Sequence, residues 1–262
     1  MGNRTSYISA LDAHCHCGKQ DAPPPQDYET IASLHRLAGV QAAWMFPPVL
    51  EVYDRHDPSF YDTPAWQARR HRAHGYLLGL SRKPLTPRVL PFFFVWNDFD
   101  ADALTPEFRG IKWHRHPDEP VYHYDDPRCR TLLHLIAERR LPVVLEEEFT
   151  NTMRFLDELA PDAIVIIPHL GYLNGGFQRL HGLRIWSRPN VYADSSAAPS
   201  HDPHLLRTFL SAYGPEKLLF GSDYPFDSPV FCRQAILDLH LPPADQALIL
   251  ASNALRLIAE VA

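Results

Sequence analysis

The sequence has no apolar run long enough to cross a bilayer. Its longest stretches, such as Val89 to Trp96 and Ala163 to Ile167, fall far short of the roughly 18 residues a spanning helix needs. A spanning helix is excluded, and no membrane partner is expected. No dense basic run occurs either, and 25 Lys and Arg against 31 Asp and Glu leave a net charge of −6. A nucleic-acid surface is therefore not expected, and a small-molecule partner is. Cysteine is scarce: Cys15, Cys17, Cys129 and Cys232 show neither CxxC spacing nor a disulfide framework, which predicts free thiols in a reducing compartment. The polar opening Gly2-Asn3-Arg4-Thr5-Ser6 lacks the apolar segment of a secretory signal, so a cytoplasmic location is expected. The same opening fits the loose pattern M-G-x-x-x-S for myristoylation, a pattern common by chance.

What is present suffices for a full core. The chain has 262 residues, 45% of them hydrophobic, and a (β/α)₈ barrel needs about 250 as one domain. Short apolar runs bounded by turn residues give eight strand candidates. They are Tyr7–Ala13, Val40–Phe46, Val89–Val95, Phe108–Trp113, Leu141–Leu145, Ala163–Ile167, Val191–Ala193 and Lys217–Gly221. Helical spacing fills several gaps, as in Arg130–Arg139, Asn151–Leu159 and Trp66–Tyr76. Continuous apolar strands alternating with helices predict a parallel sheet covered by helices. Eight such units over residues 1–262 predict a single α/β domain, a slightly distorted (β/α)₈ TIM barrel, with a doubly wound open sheet as the alternative. The connection over residues 47–86 is long enough to serve as a lid or substrate loop. Many of the 25 prolines sit in connections such as Pro23-Pro24-Pro25, where the missing donor costs least.

Ionisable residues gather at the strand ends. In Asp12-Ala13-His14-Cys15-His16 the period of two puts Asp12, His14 and His16 on one face and the thiols on the other, so two imidazoles can share one cation. His114 and His116 follow the fourth strand, Glu146-Glu147-Glu148 the fifth, His169 the sixth, Asp194 the seventh and Asp223 the eighth. Any one of these has an ordinary explanation as a cap, a turn residue or a solvated charge. Together, at ends that converge in a barrel, they point to an active site.

The ordered segments carry a resemblance. Asp12-Ala13-His14-Cys15-His16, Phe108-Arg109-Gly110-Ile111-Lys112, His169-Leu170-Gly171 and Phe220-Gly221-Ser222-Asp223-Tyr224-Pro225 are similar to the amidohydrolase-related ("amidohydrolase 2") family of metal-dependent TIM-barrel hydrolases. The resemblance implies one divalent metal ion, zinc first and manganese as the alternative, held by His14, His16 and Asp223. It implies His169 as a catalytic histidine beside the ion, with Asp223 also orienting water and taking its proton. One departure stands out: Glu146 occupies the position after the fifth strand where many members carry a ligating histidine. A carboxylate can bind zinc or manganese, so Glu146 is expected as a further ligand, with Glu148 on the same face as a competitor. Lys112, His114 and Arg55 are candidate substrate contacts. The implied function is hydrolysis of a small amide, lactone or ester by a metal-activated water. The alternatives are a non-oxidative metal-dependent decarboxylase of a small carboxylic acid and a metal-poor binding protein. Many of the decarboxylases carry H-x-G-E-x-x-P, whereas this chain reads His169-Leu170-Gly171-Tyr172-Leu173-Asn174-Gly175. The sequence leaves room for a homo-oligomer.

Overall fold

The structure is a computed structural model that describes residues 9–19, 24–197 and 201–261; Met1 to Ser6, with the myristoylation pattern, lie outside the described residues. Eight strands pair in chain order, each parallel to the next: β1 (Ala10–His16), β2 (Val40–Phe46), β3 (Arg88–Phe94), β4 (Gly110–His114), β5 (Val143–Glu146), β6 (Val165–Ile167), β7 (Val191–Asp194) and β8 (Leu218–Leu219). The backbone beyond β8 returns to β1, with Ala13 N–H donating to Phe220 O at 2.8 Å and His16 N–H to Tyr224 O at 2.9 Å. First and last strands therefore meet, which selects the barrel over an open sheet.

The strands are apolar throughout because both of their faces are covered: every side chain of Val143-Val144-Leu145 and Val165-Ile166-Ile167 is fully buried. Helices start where sequence supplies a cap. Asp27 accepts from Thr30 N–H at the head of α1 (Tyr28–Leu37), and Thr63, followed by Pro64, opens α2 (Pro64–Ser81). Asp126 opens α3 (Pro127–Glu138), again with proline at the first helical position. The predicted helix Asn151–Leu159 is instead α4 (Phe149–Arg154) running into a π turn over Phe155–Leu159. No helix joins β3 to β4, and this is the distortion the barrel carries.

Two departures bear on the site. β1 extends to His16, three residues past the predicted end, so both histidines sit on the strand. Its pairing with β2 also slips between Asp12 and Cys15, which breaks the expected alternation. Asp12 consequently does not join His14 and His16; its carboxylate accepts from His35 Nε2 of α1 at 2.8 Å and from Ser222 N–H at 2.9 Å. Cys15 and Cys17 do face away, into a cluster with Tyr28, Ile31 and Ala32 of α1.

The long connection over residues 47–86 is packed down at its start. Val49, Val52 and Tyr53 are fully buried. Arg70 of α2 donates to Val52 O at 2.8 Å and pairs with Asp62 and Asp98. This anchoring delivers Tyr53 and Arg55 to the C-terminal end of the barrel.

Candidate functional site

Three imidazoles converge there with one nitrogen each already committed. His14 Nδ1 lies 2.8 Å from Asp194 Oδ2, and His16 Nδ1 lies 3.1 Å from Pro47 O. His169 Nδ1 lies 3.2 Å from Ser196 O and 2.9 Å from Ser196 Oγ. A carbonyl or carboxylate at Nδ1 keeps a proton on that nitrogen, which in a neutral ring leaves the lone pair on Nε2. The Nε2 atoms of His14 and His16 then face the same oxygen, Asp223 Oδ1, at 3.4 Å and 3.5 Å. His169 Nε2 stands 3.9 Å from Asp223 Oδ2. Asp223 reaches this position through a left-handed backbone, φ 57°, fixed by its N–H donating to His14 O at 2.7 Å.

A second group presses against the first. Lys112 of β4, fully buried, extends its ammonium to 3.0 Å from His14 Nε2 and 2.7 Å from Glu146 Oε2. The other oxygen of Glu146 lies 2.7 Å from His116 Nε2 and 3.3 Å from His114 Nε2. His116 Nδ1 accepts from the Arg55 guanidinium at 3.0 Å, so its ring donates from Nε2 to Glu146. Arg55 is held by Glu119 at 2.7 Å, and Tyr53 donates to the same carboxylate at 2.6 Å. A cavity of about 450 Å³ opens beside these groups, lined by Leu50, Arg55, His56, His116, Glu119 and Phe226 among others.

Electrostatics separate the roles. Burial, reinforced by Lys112, pushes the His14 pKa down and keeps the ring neutral. Burial opposes a charge on His169 as well, but the carboxylates of Asp223 and Glu146 prevail and push its pKa up to about 9. Asp223 resists burial because His169 and the other imidazoles hold its carboxyl well below the usual range. Glu146 is held low likewise, by His114, Lys112 and His169 against burial. His114 is buried and pushed down to about 4.

The amidohydrolase family profile matches residues 12–259, nearly the whole chain. The chain belongs to the amidohydrolase family. Solved structures agree on the fold. A putative 2-pyrone-4,6-dicarboxylic acid hydrolase from Pseudomonas putida superposes with a TM-score of 0.72 at 18% identity, covering 97% of this chain and 98% of its own. A 5-carboxyvanillate decarboxylase from Sphingomonas paucimobilis gives 0.71 at 14%, covering 97% and 100%. A 5-carboxyvanillate decarboxylase from Novosphingobium aromaticivorans, a mutant with bound manganese, gives 0.72 at 11%, covering 99% of each chain. The chain has no match among curated proteins. Identities this low carry the fold alone, and the neighbours include both hydrolases and decarboxylases.

Within this amidohydrolase barrel the donor set suits a divalent ion. His14, His16 and Asp223 offer ligand atoms whose separations, 3.4 Å and 3.5 Å, match the edges of about 3.3 Å expected for a tetrahedron with bonds near 2.0 Å. His14, Glu146 and His169 form an adjoining group that shares His14. All four expected ligands are thus brought together. Glu146 differs from the other three in being engaged already by Lys112 and His116. Lys112 is buried between His14 and Glu146 rather than open to the cavity, whereas Arg55 and His116 line it. Glu148 does not reach the centre: its carboxylate stands 3.5 Å from Arg115. Sequence reasoning placed Asp194 at a strand end without a role, and missed Ser196, Glu119 and Tyr53. Only Asp194 and Ser196 had a signal, in the segment Tyr192-Ala193-Asp194-Ser195-Ser196.

Proposed function

We propose that this amidohydrolase is a metal-dependent hydrolase of a small amide, lactone or ester, with one divalent ion, zinc first, held by His14, His16 and Asp223. The observation that carries the reading is the convergence of the His14 and His16 Nε2 atoms on Asp223 Oδ1, each ring fixed from behind by an acceptor. An ion bound there supplies Lewis acidity and an acidified water at neutral pH. The chain's own groups supply the rest. Asp223, ionised and facing His169, orients the attacking water and takes its proton. His169, cationic at neutral pH, donates from Nε2 to the oxygen on which charge develops and then to the leaving group. Asp194 holds His14 at Nδ1 and accepts the His169 backbone N–H at 3.0 Å, so one carboxylate positions two of the rings. Arg55, at the cavity wall, binds an anionic group of the substrate, with His116 joining it to Glu146. His114, buried behind Glu146, contributes by orienting that carboxylate. Glu146, paired with Lys112 and grouped with His14 and His169, is the further ligand of the ion. The connection over residues 47–86 acts as the substrate loop through Arg55. Four free, buried cysteines support a reducing, cytoplasmic setting, and no described helix is long and apolar enough to cross a membrane.

The test is a panel of lactones, esters, amides and aromatic carboxylic acids incubated with zinc- or manganese-loaded protein in ¹⁸O-water. Product carrying ¹⁸O in a new carboxylate supports hydrolysis. Release of carbon dioxide without ¹⁸O in the remaining product would replace the hydrolase with a decarboxylase on the same centre.

A further inference from the structure

A second group of metal-ligating side chains lies outside this centre. His201 immediately precedes α6 (Pro203–Tyr213), whose cap is Asp202. Asp227 sits in the loop after β8, and Cys232 on α7 (Pro229–Leu237). His201 Nε2 is 3.2 Å from Cys232 Sγ and 3.3 Å from Asp227 Oδ2, and all three donor atoms lie within 4.8 Å of one another. We propose that His201, Asp227 and Cys232 form a second metal site, for a thiophilic divalent cation such as zinc, that ties the loop after β7 to the loop after β8.

Two readings of a Cys, His and Asp trio are available, and the geometry decides between them. In a nucleophilic triad the acid orients the imidazole through one ring nitrogen while the thiol uses the other. Here the carboxylate and the sulfur both address Nε2, so no relay exists. Three donor atoms within 4.8 Å of one another are close enough to share one ion. Zinc bonds of about 2.0 Å to nitrogen and oxygen and about 2.3 Å to sulfur give tetrahedral edges of about 3.3 Å between nitrogen and oxygen and about 3.5 Å between nitrogen and sulfur; the pairs found are 3.3 Å and 3.2 Å, so the sulfur must draw back by about 0.3 Å on binding. The thiol is nearly sealed, 1% exposed, while Asp227 and His201 are 14% and 25% exposed and leave an entry path for the ion. Burial first, and then the carboxylates of Asp227, Asp12, Asp223 and Asp194, hold Cys232 as a thiol. The surroundings are therefore negative and favour a cation. On binding, the sulfur–proton bond breaks, the proton leaves to solvent and the thiolate pair goes to the metal.

The position gives the site a task. Asp227 follows Asp223 by four residues and Phe226 by one, and the Phe226 ring packs edge-on to His16 at 6.0 Å between centroids. Cys232 Sγ lies 3.6 Å from Ser222 O, next to Asp223. An ion here braces the segment that carries Asp223.

The test is cobalt titration of metal-stripped, full-length protein. The His14/His16/Asp223 centre offers no sulfur, so a near-ultraviolet thiolate-to-cobalt band reports a cysteine-bearing site, and Cys232→Ala separates this site from the Asp12, Cys15 and His35 group. The band is expected in wild type, is expected to persist in His14→Ala/His16→Ala, and should vanish in Cys232→Ala. His201→Ala, at a partly exposed side chain that leaves the core intact, should weaken cobalt binding at this site at least tenfold. A wild type without the band at saturating cobalt, a band that survives Cys232→Ala, or unchanged affinity in His201→Ala would each overturn the site. Because the band is read in the variant lacking both barrel histidines, failure here is separate from failure of the proposed hydrolase centre.

Discussion

Lys112 and Glu146 offer the sharpest test of how the barrel end is held together. The ammonium and carboxylate are 2.7 Å apart, with their side chains 0% and 4% exposed. Removing one partner of a buried pair costs about 3–5 kcal/mol because the other charge is stranded. Lys112→Met leaves Glu146 with His116 at 2.7 Å and His114 at 3.3 Å, so the loss should fall near the lower end, about 3 kcal/mol. In a chain of this size that is a drop in Tm of roughly 6–12 °C. Glu146→Gln strands the ammonium against His14 and should lose a similar amount. The double variant strands neither charge and should lose about 1 kcal/mol, far less than the sum of its parts. Urea unfolding followed by circular dichroism, in chelator so that no ion contributes, measures all four corners of the cycle. Additivity within about 0.5 kcal/mol would refute the pairing as an energetic unit. The same variants read the electrostatics of the proposed ion. An ammonium 3.0 Å from His14 Nε2 repels a cation placed there, so Lys112→Met should tighten zinc and manganese binding and Glu146→Gln should weaken it. Weaker metal binding in Lys112→Met would show that the lysine supports the centre rather than competing with it.

Other outcomes follow from single features. The double variant His14→Ala/His16→Ala should lose the barrel metal by elemental analysis, and unchanged content would remove both from the ligand set. His169→Asn should keep the metal and lose roughly 10²-fold or more in kcat, so full turnover with any substrate found would refute its role as acid. His74 is buried, accepts the Phe94 N–H at 3.0 Å and is pushed down to about 3 by burial and by Arg70. Above pH 6.5 neither the folded nor the unfolded state protonates it, and below that only the unfolded state does, so its acid destabilisation grows as pH falls toward 3 and reaches about 2 kcal/mol at pH 5. His74→Gln, which keeps an acceptor, should be less acid-sensitive than wild type by that amount in urea titrations at pH 7.5 and 5; an identical loss in both proteins would refute the assignment. Gly110→Ala would put a methyl 2.3 Å from the Phe92 ring and 2.7 Å from Pro142 O and should cost about 1–3 kcal/mol or more, measured as a fall in urea midpoint.

The barrel was legible because its signal is one-dimensional. A parallel strand buried on both faces must be apolar along its length, and Val143-Val144-Leu145 or Val165-Ile166-Ile167 shows this without knowledge of any neighbour. His14 and His16 were legible for the same reason, since strand period alone puts them on one side. Asp12 was misplaced because the slip in pairing after it depends on β2, which the local pattern does not contain. The partners of Glu146 were hidden for a deeper reason. Lys112 and His116 reach it from β4 and from the segment after β4, Arg55 reaches His116 from the connection after β2, and such meetings are set by how loops pack. Arg55 and Glu119 are separated by 64 positions, so no window of sequence holds both. His201, Asp227 and Cys232 form no spaced motif for the same reason.

Charge balance explains why these hidden contacts matter. Of the buried carboxylates among the described residues at the barrel end, Glu119 and Glu147 are paired with Arg55 and Arg115 and Asp12 with His35, which leaves Asp194, Asp223 and Glu146 around His14, whose ring is kept neutral. Lys112 and the His169 imidazolium are the cations that face them. Two positive charges against these three negative leave a deficit at Asp223, which His169 faces only from 3.9 Å. Burying an uncompensated carboxylate costs several kcal/mol, so a further cation beside Asp223 would stabilise the fold. Lys112 answers Glu146, His169 answers Asp223 in part, and Asp194 is spent on orienting His14 and His169. The residual negative charge and the Nε2 atoms of His14 and His16 coincide in space at Asp223 Oδ1, and a divalent cation is the species that would satisfy both.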